Sequence, residues 1–168
     1  MTPSDDLVVH AGFEDLYHLE YPGLLAVATA LLGTFEDGED LVQDTMVKTF
    51  VRWPSVARLD RPGAWCHRVL MNACRSRWRR RQTEQRFWAR QPRAKTFVDE
   101  PSADVIAFWS VVRAMPLRPR TAVALYYAAD RSTSDVAAIL GVPEGTVRSD
   151  LARARVVLAR ELGVGHGA

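Results

Sequence analysis

The sequence predicts an all-α protein: two small helical domains joined by a flexible linker, the second domain a helix-turn-helix. Three observations lead there. Apolar residues recur at helical spacing over most of the chain, and they nowhere alternate as in a strand. An arginine-rich middle stretch loses that spacing and closes on Pro101, as a linker does. Finally, Ser132 to Arg160 reads as two helices around a tight turn. The expected division is a first domain over residues 11–80, a linker over 81–101 and a second domain over 102–163.

The helix-turn-helix is the sharpest of these. Its first helix spans Ser134–Leu140 and opens with small hydroxylated residues able to cap it. Gly141 follows, where the chain needs a left-handed residue. Pro143 suits the first position of the second helix. Val136, Ile139 and Leu140 form one apolar stripe; Val147, Leu151, Ala154 and Leu158 form the other. With Val147 and Leu151 turned to the core, Thr146, Arg148, Ser149, Ala152, Arg153 and Val156 face outward. Small side chains permit close approach to a groove, and guanidinium groups pair with phosphate or guanine edges. Alone, such a face could be an ordinary solvated one; the turn chemistry beside it favours a recognition helix.

From the N-terminus, Met1 to Ala11 reads as a loose start. Phe13 to Leu32 is helical, interrupted at Tyr21-Pro22-Gly23 and ended by Gly33. Glu36 to Trp53 is a second helix with Leu41, Val42, Thr45, Met46, Thr49 and Phe50 as its seam. Its acids crowd the N-terminal end, where the helix dipole favours them. Pro54 to Pro62 is a loop, and Gly63 to about Gln82 a third helix. Ser102 to Met115 and Arg120 to Ala129 are two more helices before the helix-turn-helix, and the tail after Gly163 reads as frayed.

Charge is unevenly distributed. The net value of +2 hides a first quarter, residues 1–44, with ten acids and no Lys or Arg; the remainder has 22 bases against 10 acids, or +12. A basic remainder suits a polyanion, and an acidic first quarter suits a basic protein surface. No apolar run is long enough to span a membrane and no signal peptide opens the chain, so a cytoplasmic protein is expected. Cys66 and Cys74 stand too far apart for a single-turn metal pair and read as half-buried thiols; His10, His18, His67 and His166 share no ligand spacing. No cofactor is expected.

The third helix interleaves tryptophan with arginine. Val69 and Ala73, with Leu70 and Trp65, supply a packed side; Arg68, Asn72, Arg75 and Arg79 fall along another face. Aromatic rings stack on unpaired bases, guanidinium groups hold the backbone, and an asparagine can read a base edge. A buried tryptophan beside a solvated basic face would give the same pattern.

Asp40-Leu41-Val42-Gln43-Asp44-Thr45, then Pro62-Gly63-Ala64-Trp65 leading to Asn72 and an arginine-rich end, then a helix-turn-helix containing Gly145-Thr146-Val147-Arg148-Ser149, together resemble an extracytoplasmic-function (ECF) RNA polymerase sigma factor, most of all the actinobacterial SigE-like group. The resemblance runs from Phe13 to Leu162. It implies that Asp40, Leu41, Gln43 and Asp44 bind core RNA polymerase. It implies that the loop Ser55–Pro62 and the helix with Trp65, Arg68, Asn72, Arg75 and Arg79 melt and read the −10 promoter element. It assigns the −35 element to Thr146, Arg148, Ser149 and Arg153, and it implies an anti-sigma factor as a further partner. Asp150 stands where the family often has a base, and Ala152 where it has a larger side chain. Two other readings compete. A conventional helix-turn-helix regulator accounts for the C-terminal third alone, and a divalent-metal enzyme would use Glu36, Asp37, Glu39, Asp40 and Asp44.

Overall fold

We describe residues 3–87 and 102–163 of a computed structural model, with side chains over 12–83 and 102–163. Gly33 and Thr34 set the first corner. Gly33 ends α1 (Pro3–Leu32) with φ +87°, a conformation that costs glycine little. Thr34 caps α2 (Phe35–Val51), its Oγ1 accepting from the Asp37 amide at 3.3 Å. Leu41, Val42, Thr45, Met46 and Thr49 form the buried seam of α2 as expected. The two threonines are at home there because their hydroxyls donate to the carbonyls of Leu41 and Thr45, each at 2.8 Å. Phe50 departs from the expectation: it is 43% exposed and meets Phe13 edge-on, while Trp53 takes the core position at that end.

Other boundaries also differ. The helical start of α1 at Pro3 replaces the loose first residues, and α1 passes through Pro22 without a break. A proline inside a helix removes one amide hydrogen bond, so tertiary packing of Leu24, Val27, Ala28 and Leu31 into the core outweighs it here. The expected loop after α2 begins as a helical turn, α3 (Trp53–Val56), with Pro54 in its first turn, where a missing amide costs nothing. α4 (Pro62–Phe87) is longer than the spacing predicts. The rest of the expected linker, 88–101, and the tail after Gly163 lie outside the described residues. Gly63 is required by packing: a Cβ there would fall 2.1 Å from Glu20 Oε1.

In the second half, Ser102 caps α5 (Ala103–Ala114). The single helix expected over Arg120–Ala129 is α6 (Leu117–Val123) running into a π-helical turn, Ala124–Ala128. Ser132 caps α7 (Thr133–Leu140), and Gly141 ends it at φ +67°. Pro143 sits just before α8 (Glu144–Leu162) as its cap residue, one place earlier than expected. Val136, Ile139, Val147, Leu151, Ala154 and Leu158 are buried, and Leu140 is half-buried.

The two helical units are present, but they share one apolar core. α1 packs on α2 and α4 in the first, and α8 on α5, α6 and α7 in the second; α1 also meets the π-helical turn and α4 meets α7. Arg120 lies over the Trp78 ring at 4.5 Å, and Arg113 Nη1 donates to the Ala30 carbonyl at 3.2 Å.

Asp37 fastens α2 to α4. Its carboxylate accepts from Thr34, Arg77 and Arg81. Burial disfavours the charged form, but these three partners outweigh it and hold the pKa at about 2. In the unfolded chain the carboxyl returns to about 3.9. The folded value is the lower one, so the stabilisation is complete above about pH 4 and is lost as pH falls to about 2. Asp37→Asn should be less stable than wild type by about 2 kcal/mol at neutral pH, with the difference closing below about pH 4, in urea titrations at a series of pH values.

Candidate nucleic-acid interface

The acids of α2 divide by face. Asp37 turns inward to its arginines. Asp40, Gln43 and Asp44 are exposed, with the two carboxylates one helical turn apart, and Val47, 62% exposed, continues their side. Leu41 does not join them: it is 5% exposed and packs in the core. This division also separates the acids that a metal site would have to bring together.

The packed side of α4 is Cys66, His67, Leu70, Met71 and Cys74; Val69 and Ala73, expected there, are only half-buried. The thiols are fully buried rather than half-buried, and burial pushes them up to about 11 for Cys66 and about 12 for Cys74. Arg68, Asn72, Arg75 and Arg79 are exposed along one side, and Trp65 is half-buried at its start. Asn72 opens into a cleft of about 560 Å³ between α2 and α4, shared with Asp44, Lys48, Ser76 and Arg80. The candidate polymerase ridge and the candidate strand reader are therefore neighbours.

On α8, Arg148, Ser149, Ala152 and Arg153 are exposed and Thr146 is half-buried. Arg148 Nη2 donates to Glu144 Oε1 at 2.7 Å, and Thr133 donates to the same oxygen at 2.6 Å, tying the start of α8 to α7. Asp150 is 3% exposed, so it is not a surface acid facing DNA. Arg118 donates to both its oxygens, at 2.8 and 3.3 Å, and Arg153 Nη2 donates to Oδ1 at 3.1 Å. An acid in the basic helix α8 is thus accounted for: it clamps α6 to α8 and holds the guanidinium of Arg153.

The remaining cluster lies between the units. Glu20 of α1, 5% exposed, sits against His67 of α4, 0% exposed, with His67 Nε2 and Glu20 Oε2 3.2 Å apart. Arg131, just before α7, donates to the same carboxylate oxygen. Burial drives His67 toward its neutral form. Burial alone would raise Glu20, but His67 and Arg131 together lower it, so it stays a carboxylate.

Two family models match the chain: Sigma-70 region 2 over residues 16–84 and Sigma-70 region 4 over residues 106–158. The RNA polymerase sigma-E factor of Streptomyces avermitilis is 32% identical over 153 residues, covering 89% of this chain and 84% of that protein. The ECF RNA polymerase sigma factor SigM of Mycobacterium tuberculosis is 34% identical, covering 90% of this chain and 77% of that one. The chain belongs to the ECF RNA polymerase sigma factors. Its fold agrees with that of the sigma factor RpoE from Bartonella quintana, solved with the anti-sigma factor NepR: TM-score 0.76, 30% identity, 92% of this chain and 99% of that one. CnrH, solved with the cytosolic domain of CnrY, shares the fold at TM-score 0.66.

As a sigma factor the protein directs promoter-specific transcription initiation, and a conventional regulator confined to the C-terminal third is not favoured by matches that also span α1 to α4. What the sequence did not reveal in this sigma factor is its internal ionic bonding. Glu20, Asp37 and Asp150 carry no local sign of burial, because the partners that tie each of them to another helix, His67, Arg77 with Arg81, and Arg118, are distant in the chain. Asp150→Arg should not tighten DNA binding, since it would place a third cation between Arg118 and Arg153. It should destabilise the second unit by about 3 kcal/mol or more, read as a lowered urea midpoint with the slope unchanged.

Proposed function

We propose that this sigma factor works through three surfaces: the α2 ridge of Asp40, Gln43 and Asp44 for core RNA polymerase; Trp65, Arg68, Asn72, Arg75 and Arg79 on α4 for the −10 strand; and Thr146, Arg148, Ser149 and Arg153 on α8 for the −35 duplex. The observation that carries this reading is the segregation of charge by face. Exposed carboxylates occupy α2, whereas arginines line the outward sides of α4 and α8. Leu41 supports the ridge from the core. Binding and strand separation need no covalent chemistry, so the function is that of a non-enzymatic initiation factor in the cytoplasm. Among the described residues no helix is long and apolar enough to cross a membrane. We also propose residues 11–80 and 102–163 as its separable units, joined through 81–101.

An anti-sigma factor is the further partner this reading implies, by analogy with the Bartonella quintana sigma factor solved with its anti-sigma factor. A suitable seat exists along the seam of the two units: an apolar groove of about 610 Å³ whose walls include Leu25, Ile106, Trp109 and Tyr127. Such a groove takes the apolar face of an amphipathic helix.

Run-off transcription with core polymerase on a promoter library tests the function as a whole: defined start sites should appear only when the protein is added, and their absence would refute it. Asp40→Arg with Asp44→Arg should abolish co-purification with core polymerase while helicity and −35 duplex binding persist. Desolvated interfacial charge pairs commonly cost several kcal/mol when one side is lost, so a double variant that still binds core at wild-type yield would remove the ridge from the account. Arg153→Ala should weaken specific −35 duplex binding by about 1–3 kcal/mol and relax sequence preference. An even loss across sequences with a smaller salt slope would make Arg153 a phosphate contact instead.

A further inference from the structure

Arg148 and Arg153 are both exposed on α8, but they are held differently. Arg148 is tied at Nη2 alone, to Glu144, a half-buried acid one turn earlier. Arg153 is tied along one whole edge. Its Nη2 donates to Asp150 Oδ1 at 3.1 Å, and its Nε to the Ser149 carbonyl at 3.4 Å. Nε–H and Nη2–H form the side edge of a guanidinium, so that edge is engaged within the helix. The far edge, Nη1 with the remaining hydrogen of Nη2, has no partner among the described residues. The acid that does this is itself fixed. Arg118 of α6 grips both oxygens of Asp150, at 2.8 and 3.3 Å, and the apolar side chains of Pro116, Ala154 and Val157 share the cleft beside it.

We propose that Asp150 is a specificity-determining residue of this sigma factor: it locks the side edge of Arg153, so that the arginine offers its far edge to a single guanine of the −35 duplex. The inference rests on the assignment of Arg153 to that duplex made above. Asp150 touches no base here and is a positioning residue, and Arg118 offsets the charge that would otherwise repel phosphate. An unheld arginine has many rotamers and pairs with any phosphate oxygen in reach, which adds affinity without sequence information. A held one presents two parallel N–H donors in one place. In the major groove only guanine answers with two adjacent acceptors, O6 and N7. Adenine sets an amino group beside N7, cytosine offers an amino donor, and thymine a single oxygen beside its methyl. An arginine folded back toward Asp150 also reaches less far from the helix. Ser149 and Ala152, exposed beside it, are short enough to allow the closer approach this requires.

The test uses holoenzyme assembled from the full chain and core RNA polymerase, transcribing a barcoded library of promoters randomised upstream of the start site. Barcode counts read the base preference at every position. Wild type should prefer guanine by about ten-fold or more at one −35 position, and Arg153→Ala should erase that preference there and nowhere else. Asp150→Asn should keep its helicity, remove most of the same preference, and leave the other −35 positions unchanged. If Asp150→Asn does not fold, Asp150→Leu with Arg118→Met fills the site with apolar groups, a replacement that buried ion pairs commonly tolerate, and is read in the same way. An even fall in transcription across all sequences, with the guanine preference intact, would make Asp150 a clamp of the fold alone and overturn the proposal. So would an Arg153-dependent preference for any base but guanine. Arg153→Ala keeps the two levels apart. If it alters no base preference, the −35 assignment of Arg153 has failed, and the positioning with it. If it erases a guanine preference that Asp150→Asn leaves untouched, only the positioning is wrong.

Discussion

The seam between the two helical units turns on one buried carboxylate. Glu20 enters it from α1, and Gly63 makes room by having no side chain where a Cβ would collide with Oε1. His67 and Arg131 then hold the charge that burial alone would extinguish. With His67 neutral, the cluster is one ion pair across the seam, neutral overall, and so tolerable in a low-dielectric site. Separation of the units does not strand Glu20 in the protein interior. It returns the carboxylate to water, but it also exposes the apolar core that the two units share. Around this node the apolar core is continuous, from Leu16 of α1 to Leu158 of α8.

The same economy of charge runs through the rest of the molecule. One acid on α2 is spent internally: Asp37 binds Arg77 and Arg81 of α4. Asp40 and Asp44, a turn further along, remain at the surface. In α8, Asp150 faces inward to Arg118 and Arg153 while Arg148 stays outside. Both helices therefore use one face to secure the fold by ion pairs and another to present charge to solvent, mainly carboxylates at the start of α2 and mainly arginines on α8. The acids and bases that look mixed along the chain become sorted in space.

Local chemistry was legible in the sequence, and distant pairing was not. The helix-turn-helix could be read because its determinants are neighbours: the Ser132 cap, the left-handed Gly141 and two stripes at helical spacing. The outward side of α4 was legible for the same reason. Its inward side was misassigned in part, because Val69 and Leu70 are equally apolar and only the position of α1 decides between them; Leu70 is the buried one. Glu20, 111 residues from Arg131, has no sequence signal that marks it as the centre of the seam. The burial of Asp150 has no sequence signal, because Arg118 stands 32 residues earlier, on another helix. Pro22 reads as a break, yet packing carries α1 through it. These are all cases of tertiary contacts overriding a local preference.

The central claim is that the two helical units are packed together in the free protein around the Glu20–His67–Arg131 cluster. Cys66 and Cys74 are buried with raised thiol pKa values, so dyes can be directed to introduced cysteines at exposed positions such as Leu19→Cys and Arg160→Cys. Single-molecule energy transfer between them should give one high-efficiency state for the free chain. A low-efficiency state, or a broad distribution of efficiencies, in the free chain would contradict the claim.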